Sequence, residues 1–126
     1  IFDGAFSVTQ IGYGGLRDFD RGAVWQAGME VARQKNSVYM PNPSAGYRTY
    51  LWVKPPDAIF EVPRRDGQHF SECWQDAIDV DAKWIFLHTW NEWYENTQLE
   101  PAISYEYLYV DLARKWGDKL RGEKSK

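Results

Sequence analysis

The chain has 126 residues, 44% hydrophobic and 26% charged, and 15 Lys and Arg stand against 18 Asp and Glu for a formal net charge of −3. That is the balance of one ordinary folded domain. It excludes a disordered tail and a collagen-like repeat, and it leaves no basic excess to neutralise nucleic-acid phosphates. No apolar run approaches the roughly 20 residues of a membrane span, and no charged stretch with an apolar region behind it marks a targeting signal. The unusual feature is aromatic: 7 Trp, 8 Tyr and 6 Phe make up 17% of the chain. Such rings favour stacked and amphipathic contacts, including contacts with the apolar faces of sugars.

In chain order, residues 1–8 read as a short buried strand. A polar loop follows from Thr9 to about Gly22, broken by Gly12, Gly14 and Gly15. Trp25, Gly28, Met29 and Ala32 then recur at i, i+3, i+4 and i+7, which predicts a helix over 23–34, ended by Asn36. Residues 37–40 form a second strand candidate, stopped by Pro41. From Pro41 to Gln68 the chain holds five prolines and no sustained period, and only residues 58–62 have an extended pattern. Structureless connections longer than about 12–15 residues are usually functional or disordered. Tyr47, Tyr50, Trp52 and Phe60 make disorder the poorer reading of this one.

Phe70, Cys73, Trp74, Ala77 and Ile78 give the cleanest helical face, over 69–80. Cys73 is the only cysteine, so no intrachain disulfide forms; it reads as a small buried hydrophobe. Residues 84–90 are a nearly continuous apolar run, the pattern of a strand buried on both faces in a parallel sheet. A carboxylate-rich loop follows from Asn91. A last helix carries Tyr105, Leu108, Tyr109, Leu112, Trp116 and Leu120, with Ser104 as its expected N-cap. Alternating strands and helices imply an α/β fold with parallel strands. Three βα units cannot close a sheet by themselves, so the chain is expected to be the last part of a larger α/β domain. No phosphate-binding glycine motif follows any strand.

The chemistry concentrates in Trp90-Asn91-Glu92-Trp93-Tyr94-Glu95, followed by Glu100. It begins where the apolar strand ends, and the carboxyl ends of parallel strands carry the active sites of α/β barrels. Two carboxylates three residues apart, walled by aromatic rings, suit glycosidic-bond chemistry: one protonates the leaving oxygen, the other acts as nucleophile or base. Apolar walls raise the pKa of the acid by desolvating it. Asn91 offers an amide to a sugar hydroxyl or to the neighbouring carboxylate. The plain alternative is a solvated loop with incidental acids. His88 and Glu92 lie four apart, but on a strand that separates them by roughly 13 Å, so no metal site is expected.

The string Trp90-Asn91-Glu92-Trp93-Tyr94-Glu95-Asn96-Thr97-Gln98-Leu99-Glu100 resembles the N-E-W-x-E-G-T-Q-I-E signature of glycoside hydrolase family 99, which holds endo-α-1,2-mannosidases and mannanases in a clan with family 71. Arg65-Asp66-Gly67 with Phe70, Trp74 and Ala77 is similar to the segment that precedes the last strand in that family. The resemblance implies a (β/α)8 TIM barrel, of which residues 1–126 would be the C-terminal part, about the last three βα units. The missing N-terminal part of the barrel would then be this piece's partner, an oligosaccharide or polysaccharide its substrate, and the piece alone inactive. The resemblance further implies a retaining hydrolase without cofactor or metal. Glu92 would deprotonate the sugar 2-hydroxyl and Glu95 would act as acid and then base. Trp90, Asn91, Trp93, Tyr94, Arg65, Tyr47 and Trp52 are the expected substrate-binding residues. The signature's glycine is Asn96 here, a residue that tolerates positive φ better than most. A glycosyltransferase or other polysaccharide-processing role on the same scaffold, or a non-catalytic sugar-binding module, remains an alternative. A periplasmic, secreted or Golgi-lumenal location is compatible with the family.

Overall fold

The computed structural model describes residues 3–6, 20–48 and 60–122. Strands β1 (Gly4–Phe6) and β2 (Val38–Met40) pair in parallel, with Gly4 opposite Val38 and Phe6 opposite Met40. Helix α1 (Arg21–Gln34) lies between them in the chain, so the expected β-α-β unit is present. The helix starts earlier than the apolar spacing predicts, because the Asp20 carboxylate accepts a hydrogen bond from the Ala23 N–H at 2.9 Å and caps the first turn. Trp25, Met29 and Ala32 point inward from α1. Gly28 faces Tyr39 of β2 so closely that an added Cβ would lie 2.7 Å from ring carbons; the missing side chain is what lets the helix lie on the strand. Asn36, at φ +50°, turns the chain out of the helix.

After β2 the chain runs through residues 41–46, all buried. It then forms β3 (Tyr47–Arg48), which pairs antiparallel with β4 (Glu61–Val62). This hairpin is not legible in the sequence, where only the extended pattern over 58–62 hints at one of its strands. A 3₁₀ turn over Arg65–Gly67 leads into α2 (Gln68–Asp79), whose Phe70, Cys73, Trp74 and Ala77 are buried as the 3.6-residue period requires. Helix α2 is central. On one side Cys73 and Ala77 join Trp25, Met29, Val80 and Ala82. On the other Phe70 and Trp74 join Ala45, Leu99 and Tyr109, with Leu108, Leu112 and Trp116 of α3 (Leu108–Leu120) packed around them. Each large side chain buried in this way contributes roughly 1.5–3 kcal/mol.

Two expectations are corrected. Residues 84–90 form no strand ladder and are not buried on both faces. Ile85 turns inward and touches both core clusters and His88 and Thr89 are half-buried, whereas Trp84 is 63% exposed and Phe86 and Leu87 are exposed as well. The segment lies beside the chain leaving β2, through a bond from the Phe86 N–H to the Pro41 carbonyl at 3.0 Å. Pro41 and Pro43 have no N–H to return, so the pairing cannot extend into a ladder there. The second correction concerns α3, which starts at Leu108 and not after Ser104. Residues 102–106 close a tight turn instead, with Glu106 at φ +49° and its N–H on the Ala102 carbonyl at 2.6 Å. Tyr105 precedes the helix; its hydroxyl donates to the Glu100 carbonyl at 2.9 Å and its ring packs edge-on against Tyr109 of α3.

Candidate active site

The carboxylate-rich segment is a compact loop whose ends are tied together. The Leu99 N–H donates to the carbonyls of Thr89 (2.9 Å) and Trp90 (3.0 Å), and the Glu100 N–H to that of Trp90 (2.9 Å). The Thr89 and Thr97 hydroxyls meet at 2.9 Å across the neck. Leu99 sits in the core beside Phe70 and Tyr109, so the neck is anchored by burial as well as by hydrogen bonds. Within the loop the Glu92 N–H donates to Thr89 Oγ1 at 3.0 Å, and the Glu92 carbonyl accepts from the Thr97 N–H at 3.2 Å. A single 3₁₀ turn, Trp93–Glu95, follows at once, and Asn96 leaves it in the left-handed conformation at φ +55°. Asn96 thus takes the conformation that the signature's glycine would supply.

Glu92 opens this turn and Glu95 closes it. Burial, and after it the negative charge of Glu92, raises the pKa of the Glu95 carboxyl above its ordinary value. Half-buried His88 is held below the usual imidazole range by burial, and the charge of Glu92 opposes that shift. The rings around the pair face outward: Trp90 and Tyr94 are 56% and 60% exposed, and Trp93 is exposed too. Trp93 is fixed at its edge, where Nε1 donates to Glu100 Oε2 at 2.9 Å. Exposed Asn91 gives its carbonyl to the Trp93 N–H at 3.0 Å. Strand β3, with Tyr47, lies against the Trp93–Glu95 turn; Trp52 lies outside the described residues.

Of the two adjacent arginines it is Arg64 that reaches the loop. Its Nε donates to Asn96 Oδ1 at 3.2 Å, and its Nη2 to the carbonyls of Asn96 (3.1 Å) and Gln98 (2.8 Å). The guanidinium lies over the rings of Tyr109 and Tyr105, 4.6 and 5.0 Å from their centroids. Arg65 is committed elsewhere, in a two-pronged ion pair with Glu72 of α2. Nothing in the local pattern separates the two arginines. The Thr89–Thr97 contact and the bond from Trp93 Nε1 to Glu100 are also additions of the structure. Among the described residues no group of three or more His, Cys, Asp or Glu side chains converges as a metal site would require.

The family model of glycosyl hydrolase family 99 matches residues 2–121. This chain belongs to that family. Among the relatives it matches, the glycoprotein endo-alpha-1,2-mannosidase of Xenopus laevis is 30% identical over 114 residues, which cover 79% of this chain and 25% of the relative. A human glycoprotein endo-alpha-1,2-mannosidase-like protein is 25% identical over the same length and the same shares. The chain therefore spans about a quarter of the length of these relatives. In fold it is similar to the family 99 endo-alpha-mannosidase of Bacteroides thetaiotaomicron, with a TM-score of 0.74 at 22% identity over 98% of this chain and 40% of that one. A second structure of that enzyme, in complex with bis-tris-propane, gives a TM-score of 0.65 at 24% identity over 80% of this chain and 36% of that one.

Proposed function

We propose that this chain carries the acid/base loop of a retaining glycoside hydrolase that cleaves an α-linked, mannoside-like glycan, with Glu92 and Glu95 as the reacting pair. The observation that carries this reading is the pair of carboxylates on one short turn, of which Glu95 holds its proton above the ordinary range. A general acid must be protonated near its working pH. In the first step Glu92 takes the proton of the sugar 2-hydroxyl and O2 closes on C1. The bond from C1 to the leaving oxygen breaks as Glu95 delivers its proton to that oxygen. In the second step Glu95 takes a proton from the water that attacks C1, the 1,2-anhydro ring opens, and Glu92 returns the proton to O2. Two inversions at C1 give net retention. The exposed faces of Trp90, Trp93 and Tyr94 stack on sugar rings, and Asn91, Tyr47 and Trp52 complete the subsites. Arg65, paired with Glu72, has no part in this scheme.

The same proposal makes residues 1–126 the C-terminal part of a (β/α)8 barrel. The relatives' fourfold greater length supports it, as does the apolar side of residues 84–90, which further strands would cover. The test is turnover of an α-1,2-linked manno-oligosaccharide by the full-length protein, with the product anomer read by NMR. Retention is expected, with a loss on the order of 10²–10⁴-fold in kcat for Glu92→Gln and for Glu95→Gln. Full turnover by either variant would falsify the assignment. Normal glycan binding by both, with no turnover to lose in the wild type, would favour the binding module.

A further inference from the structure

Arg64 stands between β4 and the turn that opens α2, yet its Nε and Nη2 donate to the loop that carries Glu92 and Glu95. Its guanidinium rests on Tyr105 and Tyr109, and Tyr109 is one of the core's most deeply buried side chains. From that floor Nε and Nη2 reach three oxygens, two on Asn96, directly after Glu95, and one on Gln98, two residues further on. One of them, Asn96 Oδ1, exists only because a side chain stands at this left-handed position.

We infer that Arg64 and Asn96 form a clasp that sets the position of Glu95 against Glu92, which makes Arg64 a positioning residue for the acid/base pair. The inference rests on the reading of those two carboxylates given above. The acceptors are amide and carbonyl oxygens, so the cation holds the loop without forming an ion pair with either glutamate. Only a planar, forked donor can sit 4.6 and 5.0 Å from two ring centroids and still serve three acceptors at its edge; a lysine ammonium is a point charge on a flexible stem. Arg64→Lys therefore keeps the charge and loses the clasp. Asn96→Gly keeps the left-handed backbone and loses one bond.

Two readouts on the full-length protein test this. The first is hydrogen exchange at the amides of Thr97 and Leu99, which close the loop onto Glu92 and Thr89. Exchange there should quicken on the order of tenfold in Arg64→Lys, and less in Asn96→Gly, while the amides of α1 stay as in the wild type. The second is turnover per folded molecule. Arg64→Lys should lower kcat on the order of tenfold with KM held within about twofold, because the placement of the acid changes while the sugar-stacking rings do not. Unchanged exchange overturns the clasp, as does a kcat per folded molecule equal to that of the wild type. A wild type without turnover on any α-mannoside removes the acid/base reading instead, and exchange alone then decides: faster exchange keeps Arg64 as the loop's anchor, and unchanged exchange removes it.

Discussion

Gly67 gives the sharpest test of how α2 and α3 are held together. It is the N-cap of α2, at φ +84°, and a Cβ added there would lie 2.5 Å from Leu112 Cδ1 of α3. Gly67→Ala thus meets two independent penalties. An L-residue in the left-handed region costs about 1–2 kcal/mol. Crowding a methyl into a packed helix contact costs typically about 1–3 kcal/mol, and here the low end applies, because the obstacle is the tip of a leucine that can rotate. The stiffer unfolded chain returns about 0.4–1 kcal/mol. The net expectation is a destabilisation of about 1–2.5 kcal/mol, read as a lower urea midpoint at unchanged slope by far-UV circular dichroism. Leu112→Ala in the same background separates the penalties. It should remove the crowding and leave the backbone cost, so the two substitutions should combine to less than their sum. A Gly67→Ala protein within about 0.5 kcal/mol of the wild type, a range typical of surface substitutions, would show that neither the φ value nor the Leu112 contact governs this junction.

Two further outcomes follow from titratable groups. Burial first, then the cations Arg21 and Arg65, hold His69 down to about 4. On acidification the unfolded chain takes up that proton before the native state does. Stability from this site is therefore complete above the ordinary histidine pKa of about 6.5 and is lost as pH falls toward 4, by roughly 3 kcal/mol at most. His69→Gln should flatten the urea midpoint across that window, and an unaltered acid slope would rule His69 out as its source. Glu95 has the opposite sense. Its native pKa is raised, so its contribution is intact below the ordinary carboxylate range and is lost as pH rises through the raised value. Removing the neighbouring charge with Glu92→Gln should bring the carbon-13 NMR titration of the Glu95 carboxyl down, though not fully to the ordinary value, because burial is the larger cause. A Glu95 titration indifferent to Glu92→Gln would mean that the two carboxylates do not interact.

Much of this molecule is legible wherever a single periodicity decides. The buried set Phe70, Cys73, Trp74 and Ala77 is what the spacing predicts for α2, and Asn96 takes the positive φ its side chain permits. The misreadings share one cause: the deciding partner is distant in sequence. An apolar run such as 84–90 states that its side chains avoid water, but not which elements lie on its two faces. The β3–β4 pairing closes over an intervening stretch whose Pro55-Pro56 marks a break without specifying which strands pair across it. Ser104 has the chemistry of an N-cap, yet the hydroxyl of Tyr105 and the left-handed Glu106 hold the chain in a turn before α3 begins. Arg64 and Arg65 are neighbours of identical chemistry, and only the tertiary positions of Asn96 and Glu72 assign them different work.

The candidate site also opposes folding locally. Glu95 is desolvated and sits within reach of the Glu92 charge, and both effects disfavour its ionised form. A loop bearing such a pair persists only if its surroundings over-determine its shape. Here the surroundings are not a sheet, since residues 84–90 form no ladder. They are Leu99 in the core with Phe70 and Tyr109, the Thr89–Thr97 contact at the neck, and Arg64 bridging the loop to two tyrosines beneath it. The carboxylate geometry is thus fixed from below, by the α2–α3 core, while Trp90, Trp93 and Tyr94 expose their rings above. This arrangement separates two tasks within one short segment. On the proposed function, changes to the outward rings alter which sugar is stacked while the neck, the proposed clasp and the buried leucine keep the two carboxylates in register.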